Sequence, residues 1–254
     1  MRDVVFILLF SAGCAHPARG VEVAPPPVYE TAEGRNTVRL ELAEKLLDAG
    51  NSVDAQKILR LALTEGANPA EVKLLQGRAL WADGLAPEAE ALILEAKKGM
   101  PRDPRPYRIL GIIQADTGRT DDAIATWRES LKYDGNDAAT WNNLGFLLLS
   151  RREYPSAADA LTKAVALDGS VPRYRMNLGF ALSSLGRHAD ALDTFRSVGS
   201  EADAQANLAL GLELAGDHAE ALIHYHKALE ADPNNVPANQ GLSRLSGSSS
   251  EVHP

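Results

Sequence analysis

The sequence predicts an all-α fold: an α-solenoid of six stacked helical hairpins closed by a C-terminal capping helix. Three observations carry this. Residue types recur with a period of 34 from Asn36 onward, the length of one helix-turn-helix unit. Small residues recur where paired helices must approach closely, and Gly recurs where the first helix of a pair must end. No stretch alternates apolar and polar residues for long enough to suggest a β domain. A stack of this kind builds a binding surface rather than a catalytic pocket.

The first 35 residues lie outside the period. Met1 to Phe10 opens with Arg2 and carries the apolar run VVFILLF, followed by Ser11-Ala12-Gly13-Cys14, the layout of an export signal. That run is too short to cross a bilayer, which takes about 20 residues. Ser11 to Cys14 resembles the lipobox of bacterial lipoproteins, in which small residues admit the signal peptidase ahead of a lipidated Cys, although that family usually has Leu where Ser11 stands. The resemblance implies a signal peptide over residues 1–13 and two lipid attachments on Cys14, enough together for stable anchoring. Ala15, rather than Asp, behind the Cys points to the outer membrane. Cys14 is the only Cys in the chain, so no internal disulfide can form. Residues 14–35 include Pro25-Pro26-Pro27 and no helical period, and read as a tether with an r.m.s. reach of roughly 25 Å.

The units run over 36–69, 70–103, 104–137, 138–171, 172–201 and 202–235. Position twenty is Ala throughout (Ala55, Ala89, Ala123, Ala157, Ala191, Ala221), and position eight is Ala43, Gly77, Gly111, Gly145, Gly179 and Ala209. Position twenty-four is large: Leu59, Ile93, Trp127, Leu161, Phe195 and Tyr225. These pair as small against large and predict the contact between the two helices of a hairpin. Position fifteen is Gly50, Gly84, Gly118, Gly186 and Gly216, where a left-handed residue turns the chain back; Arg152 is the exception. The fifth unit is four residues short after Phe195, about one helical turn, which is either a tolerated deletion or a change of superhelix pitch. Residues 236–246 predict the capping helix a solenoid needs, and the Ser-rich residues 247–254 read as a disordered tail.

With Trp141, Leu144, Gly145, Ala157, Leu161 and Ala164 at its signature positions, the fourth unit resembles the tetratricopeptide repeat, and the resemblance covers residues 36 to 235. Gln76 and Gln114 depart from it at normally apolar positions. The resemblance implies a right-handed superhelix whose first helices line a concave groove through positions two, five, six, nine, twelve and thirteen. Carried over, these give Leu74, Arg78 and Trp81 in the second unit, and Arg105, Arg108, Ile112 and Asp116 in the third. The fourth contributes Asn142, Asn143, Phe146 and Leu149, the fifth Arg173, Met176, Asn177 and Phe180, and the sixth Asn207 and Leu210. Asn143, Asn177 and Asn207 share position six, forming either a row of amides suited to an extended peptide backbone or ordinary repeat residues. Phe146, Met176 and Phe180 offer an apolar strip, while Arg105, Arg108 and Arg173 either hold an acidic end or are solvated charges and packing residues.

The chain has 254 residues, 45% of them hydrophobic, and a formal charge of −8. An acidic chain without a basic face argues against a nucleic-acid partner. No phosphate loop or nucleophile-base-acid set appears. His224 and His226 are two residues apart and diverge on a helix, whereas a metal pair wants three or four, so they read as solvated and no cofactor or small-molecule substrate is expected. The expectation is a non-enzymatic, lipid-anchored scaffold on the periplasmic face of the outer membrane. It would bind a protein client such as a secretin or pilus component, in the manner of lipoproteins of type IV and tight-adherence pilus systems; the alternatives are a self-associating structural protein or the regulatory partner of an enzyme.

Overall fold

The computed structural model describes residues 31–248. The signal segment 1–13, Cys14, most of the tether and the tail beyond residue 248 lie outside the described residues. Among the described residues there are thirteen α-helices and no strand. Twelve of them form six hairpins: α1 (Ala32–Asp48) with α2 (Ser52–Thr64), α3 (Pro69–Ala82) with α4 (Ala86–Gly99), and α5 (Pro104–Asp116) with α6 (Thr120–Tyr133). They continue with α7 (Ala138–Ser150) and α8 (Tyr154–Leu167), α9 (Pro172–Ser184) and α10 (His188–Arg196), and α11 (Glu201–Ala215) and α12 (His218–Ala231); α13 (Val236–Ser248) closes the stack.

Thr31 caps α1, its hydroxyl oxygen accepting the Gly34 N–H at 2.9 Å, so residues 32–35 are helical rather than part of a tether. Likewise α13 runs two residues beyond Ser246. Every first helix ends in the same double hydrogen bond. The N–H at position fifteen donates to the carbonyl three residues back and the next N–H to the carbonyl five back from it, as in Gly50 to Leu47 at 3.0 Å and Asn51 to Leu46 at 2.8 Å. This is a Schellman turn, which needs a left-handed residue. The five Gly have φ from 74° to 91°, and Arg152 adopts the same conformation at φ 63°, with the same two bonds, from Arg152 to Leu149 and from Glu153 to Leu148, at 2.9 Å each.

The small-against-large pairing forms the core. All six position-twenty alanines are fully buried, and the large residues at position twenty-four are buried beside them. A methyl group on Gly179 would lie 2.4 Å from the Phe195 ring, and one on Gly111 would lie 2.3 Å from the Trp127 indole nitrogen. Trp127 uses that nitrogen to donate to the Arg108 carbonyl at 3.1 Å, tying the two helices of the third unit together. The same device recurs at the cap, where Gly241 of α13 leaves room for the Tyr225 ring and Ala238 and Leu245 are buried.

Successive first helices pack on one another, α1 on α3, α3 on α5, α7 on α9, α9 on α11 and α11 on α13, whereas each second helix packs on the first helix of its own hairpin and on the first helix that follows it, as α2 does on α1 and α3. The layer with the closer spacing lies on the inside of a curved stack, so the first helices form the concave wall. α5 and α7 approach each other less closely than the other pairs. The shortened fifth unit appears as a nine-residue α10 between the fourteen-residue α8 and α12. Arg196, at its end, donates to Glu201 at 2.7 Å and so ties α10 to the start of α11.

Candidate functional site

The concave wall carries three adjoining depressions. The first, about 360 Å³, lies across α1, α3 and α5 and is lined by Arg78, Trp81, Arg105, Arg108 and Ile112, with Glu44 and Asp48 on its acidic side. The second, about 270 Å³, occupies the looser gap between α5 and α7 and is lined by Ile112, Asp116, Asn143, Phe146 and Leu147. The third, about 450 Å³, lies between α7, α9 and α11, where Phe146, Leu149, Phe180, Leu210 and Leu214 form an apolar bowl with Asn177, Arg152 and Tyr154 at its edge. Ile112 is shared by the first two and Phe146 by the last two, so the three form one continuous track.

Two side chains dominate this surface. Phe146 is 53% exposed and Leu214 is 70% exposed, and together with Leu149, Phe180 and Leu210 they line one apolar depression. Phe180 is held in place by an edge-on contact with Phe195, ring centroids 5.2 Å apart. In the fifth unit the position-nine ring therefore rests on the buried ring at position twenty-four.

The polar residues are more committed than the sequence suggests. Asn142 is buried, accepts from Asn177 at 2.8 Å and donates to Asn143 at 3.4 Å. Asn142 is thus the internal link of an amide chain rather than part of the wall. Asn207 donates to the Met176 sulfur at 3.9 Å, so two of the three amides at position six use their N–H₂ groups within the protein. Leu74 is buried in the core shared by the second and third units and reaches only the lining of the first depression. The arginines are paired as well. Arg105 donates to Asp103 at 2.6 Å and to Glu71 at 3.2 Å, while Arg108 reaches Asp137 at 3.5 Å and Arg78 pairs with Glu44 and Asp48. Hydrogen bonds to the Asp103 carboxylate raise the Arg105 pKa. Burial works against the Asp103 charge, but its bonds to Arg105 prevail and hold the carboxyl below its ordinary range. Arg105 and Arg108 therefore brace neighbouring units, and a clamp for an acidic end is not preformed there. Trp81 likewise donates to Asp116 at 3.1 Å. Arg173 is exposed, stacked 5.9 Å from the Tyr174 ring, and lies outside the three depressions, as do Met176 and Asn207.

Sequence reasoning missed Leu214, Leu147, Tyr154 and Arg152. Leu214 stands at position thirteen, so the positional rule itself reaches it; Arg152 comes from the turn after α7 and Tyr154 is the first residue of α8, and that rule covers neither. His224 also differs from expectation. It is buried, its Nδ1 lies 2.7 Å from Gln205, and burial pushes its pKa down. Among the described residues no cluster of His, Cys, Asp and Glu could hold a metal ion, and no helix is long and apolar enough to cross a membrane.

The tetratricopeptide-repeat family matches residues 40–104, 110–172 and 143–200, with a further repeat match over 202–235. The chain belongs to the tetratricopeptide-repeat family. Among its relatives is the small glutamine-rich tetratricopeptide repeat-containing protein 2 of Mycosarcoma maydis, 33% identical over 48% of this chain and 34% of that protein. Another is the cytochrome c-type biogenesis protein CycH of Bradyrhizobium diazoefficiens, 29% identical over 48% of this chain and 35% of that protein. The chain thus spans about a third of the length of these curated relatives. Among solved structures, PilF of Pseudomonas aeruginosa superposes with a TM-score of 0.65 at 16% identity, over 84% of this chain and 99% of that one. YrrB, described as a tetratricopeptide-repeat protein with an unusual peptide-binding site, gives 0.61 at 20% identity over 73% and 97%. At these identities the likeness shows the fold alone. Tetratricopeptide repeats mediate protein-protein interactions, and the matches indicate no enzymatic family.

Proposed function

We propose that this tetratricopeptide-repeat protein is a scaffold that holds an extended segment of a protein client along its concave track. The observation that carries the reading is the continuous strip from Ile112 through Phe146 to Phe180, Leu210 and Leu214, apolar and open on the inner wall. Extended segments suit such a wall because alternate side chains can enter successive depressions while the backbone meets polar groups such as Asn143. Pairing of Arg105, Arg108 and Arg78 with acids of their own chain turns recognition toward the apolar half of the track. The Ser11-Cys14 lipobox resemblance supports a lipid-anchored protein of the bacterial envelope. There the client would be a component of a pilus or secretion machine, such as a secretin, and the scaffold would assist its assembly. The fold shared with PilF agrees with that setting.

The test is a photo-crosslinking residue in place of Phe146 in living cells, with mass spectrometry of the adducts. One dominant adduct to an envelope assembly component is expected, and it should disappear when Phe180→Glu is added. Adducts only to a second copy of the chain would replace this reading with self-association.

A further inference from the structure

Resting on the groove reading above, we propose that Arg152 selects client segments in which an Asp or Glu lies beside a bulky apolar residue. Arg152 stands where the other five units have Gly, yet it takes the same left-handed conformation at φ 63°. A side chain with a Cβ is disfavoured there, and nonglycine residues in such conformations concentrate at functional sites. It is also the only charged residue lining the apolar depression between α7, α9 and α11. Its neighbour Arg151 engages Asp121 and Glu153. Among the described residues the Arg152 guanidinium has no such partner, and neither has the hydroxyl of Tyr154, which lines the same depression.

The local chemistry specifies the complement. A planar guanidinium in the lining of an otherwise uncharged depression is matched by a carboxylate, bound through two parallel N–H donors. Displacement of water from the bowl by an apolar side chain strengthens that pair. A volume of about 450 Å³ accommodates one aromatic or large aliphatic side chain. The neighbouring depression shares Phe146, so the bound segment continues along the track instead of ending at Arg152. The carboxylate is accordingly an Asp or Glu side chain in mid-segment and not a chain terminus.

The test is selection of phage-displayed random dodecapeptides, fused through their C-termini so that none carries a free terminal carboxylate, on the full chain and on its Arg152→Gly, Arg152→Lys and Phe146→Glu variants. The unaltered chain is expected to enrich peptides with an apolar residue within two positions of an Asp or Glu. Arg152→Gly, which retains the turn, should keep the apolar preference, lose the acidic one, and bind an enriched peptide about tenfold more weakly at low salt. Arg152→Lys should recover part of that affinity. Enrichment that depends on Phe146 but has no acidic preference, or keeps that preference in Arg152→Gly, would overturn the role of Arg152 alone. Enrichment indifferent to Phe146→Glu, or none at all, would overturn the groove reading and this inference with it.

Discussion

Arg152 tolerates a conformation that suits Gly, and both turn bonds, from its own N–H and from that of Glu153, are retained. Arg152→Gly is therefore expected to stabilise the protein by about 1 kcal/mol, measured as a rise in urea midpoint. An unchanged or lowered midpoint would mean that the arginine repays its strain through contacts within the fold. His224 gives a second test. Its folded-state pKa lies below the ordinary 6.5, so below that value the unfolded chain takes up a proton that the folded chain resists. Stability then rises with pH, present in full above about pH 6.5 and falling as the pH drops below it. His224→Gln keeps a partner for Gln205 without titrating, and its stability should depend less on pH across this window. At this scale the sequence was legible wherever geometry admits one residue type, as at the turn glycines and the position-twenty alanines. It was not legible for His224 or Asn142, whose burial depends on which neighbour a helix face meets. Gln114 shows the same limit: its side-chain carbonyl is buried without a hydrogen-bond partner, a cost that no local pattern announces.

Helix boundaries follow from caps more than from composition. Thr31 extends α1 into the Pro-rich region, and Ser200 starts α11 through a reciprocal pair with Asp203. The Ser200 hydroxyl accepts the Asp203 N–H at 3.1 Å, and the Asp203 carboxylate accepts the Ser200 N–H at 3.3 Å. This cap lies immediately after the shortened α10, where little other structure directs the chain. Ser200→Ala should cost about 1 kcal/mol, read by chemical denaturation, and an effect near zero would show that the Arg196-Glu201 pair alone sets the start of α11. Glu201 gains from that pair as well: its hydrogen bond from Arg196 lowers its pKa to about 2. Its contribution is lost only as the pH falls from about 4.5 toward 2, well below the His224 window. The missing turn of α10 was legible as a count of residues. Its effect on the path of the stack was not, because that depends on how α9 and α11 settle against each other.

At the scale of the whole stack, each unit among the described residues packs on its neighbours in sequence, so stability is a sum of unit and interface terms. The last interface is closed by α13, where Arg244 pairs with Glu213 at 3.0 Å and Glu213 also accepts the Tyr225 hydroxyl proton at 2.6 Å. Removing residues 236–254 uncovers Tyr225 and should cost about 3 kcal/mol, mostly from the C-terminal units, with association visible by light scattering. A truncated chain that remained monomeric and equally stable would show that α12 needs no cover. The general course of the groove was legible as an implication of the resemblance to the tetratricopeptide repeat, which assigns the first helices to the concave side; the period alone gives only the hairpins. Which wall residues remain available to a client was not, because ion pairs such as Arg105 with Asp103 and Glu71 join residues from separate units.

The turn after each first helix has a consequence for how such a chain can change through evolution. A Cβ added to Gly50, Gly84, Gly118, Gly186 or Gly216 meets nothing within 4 Å, so the only obstacle is the backbone conformation, about 1 to 2 kcal/mol. Arg152 shows that one such substitution is tolerated with every turn bond retained. The remaining five glycines are vacant addresses at which a lineage can acquire a new side chain by a single mutation, without repacking a helix.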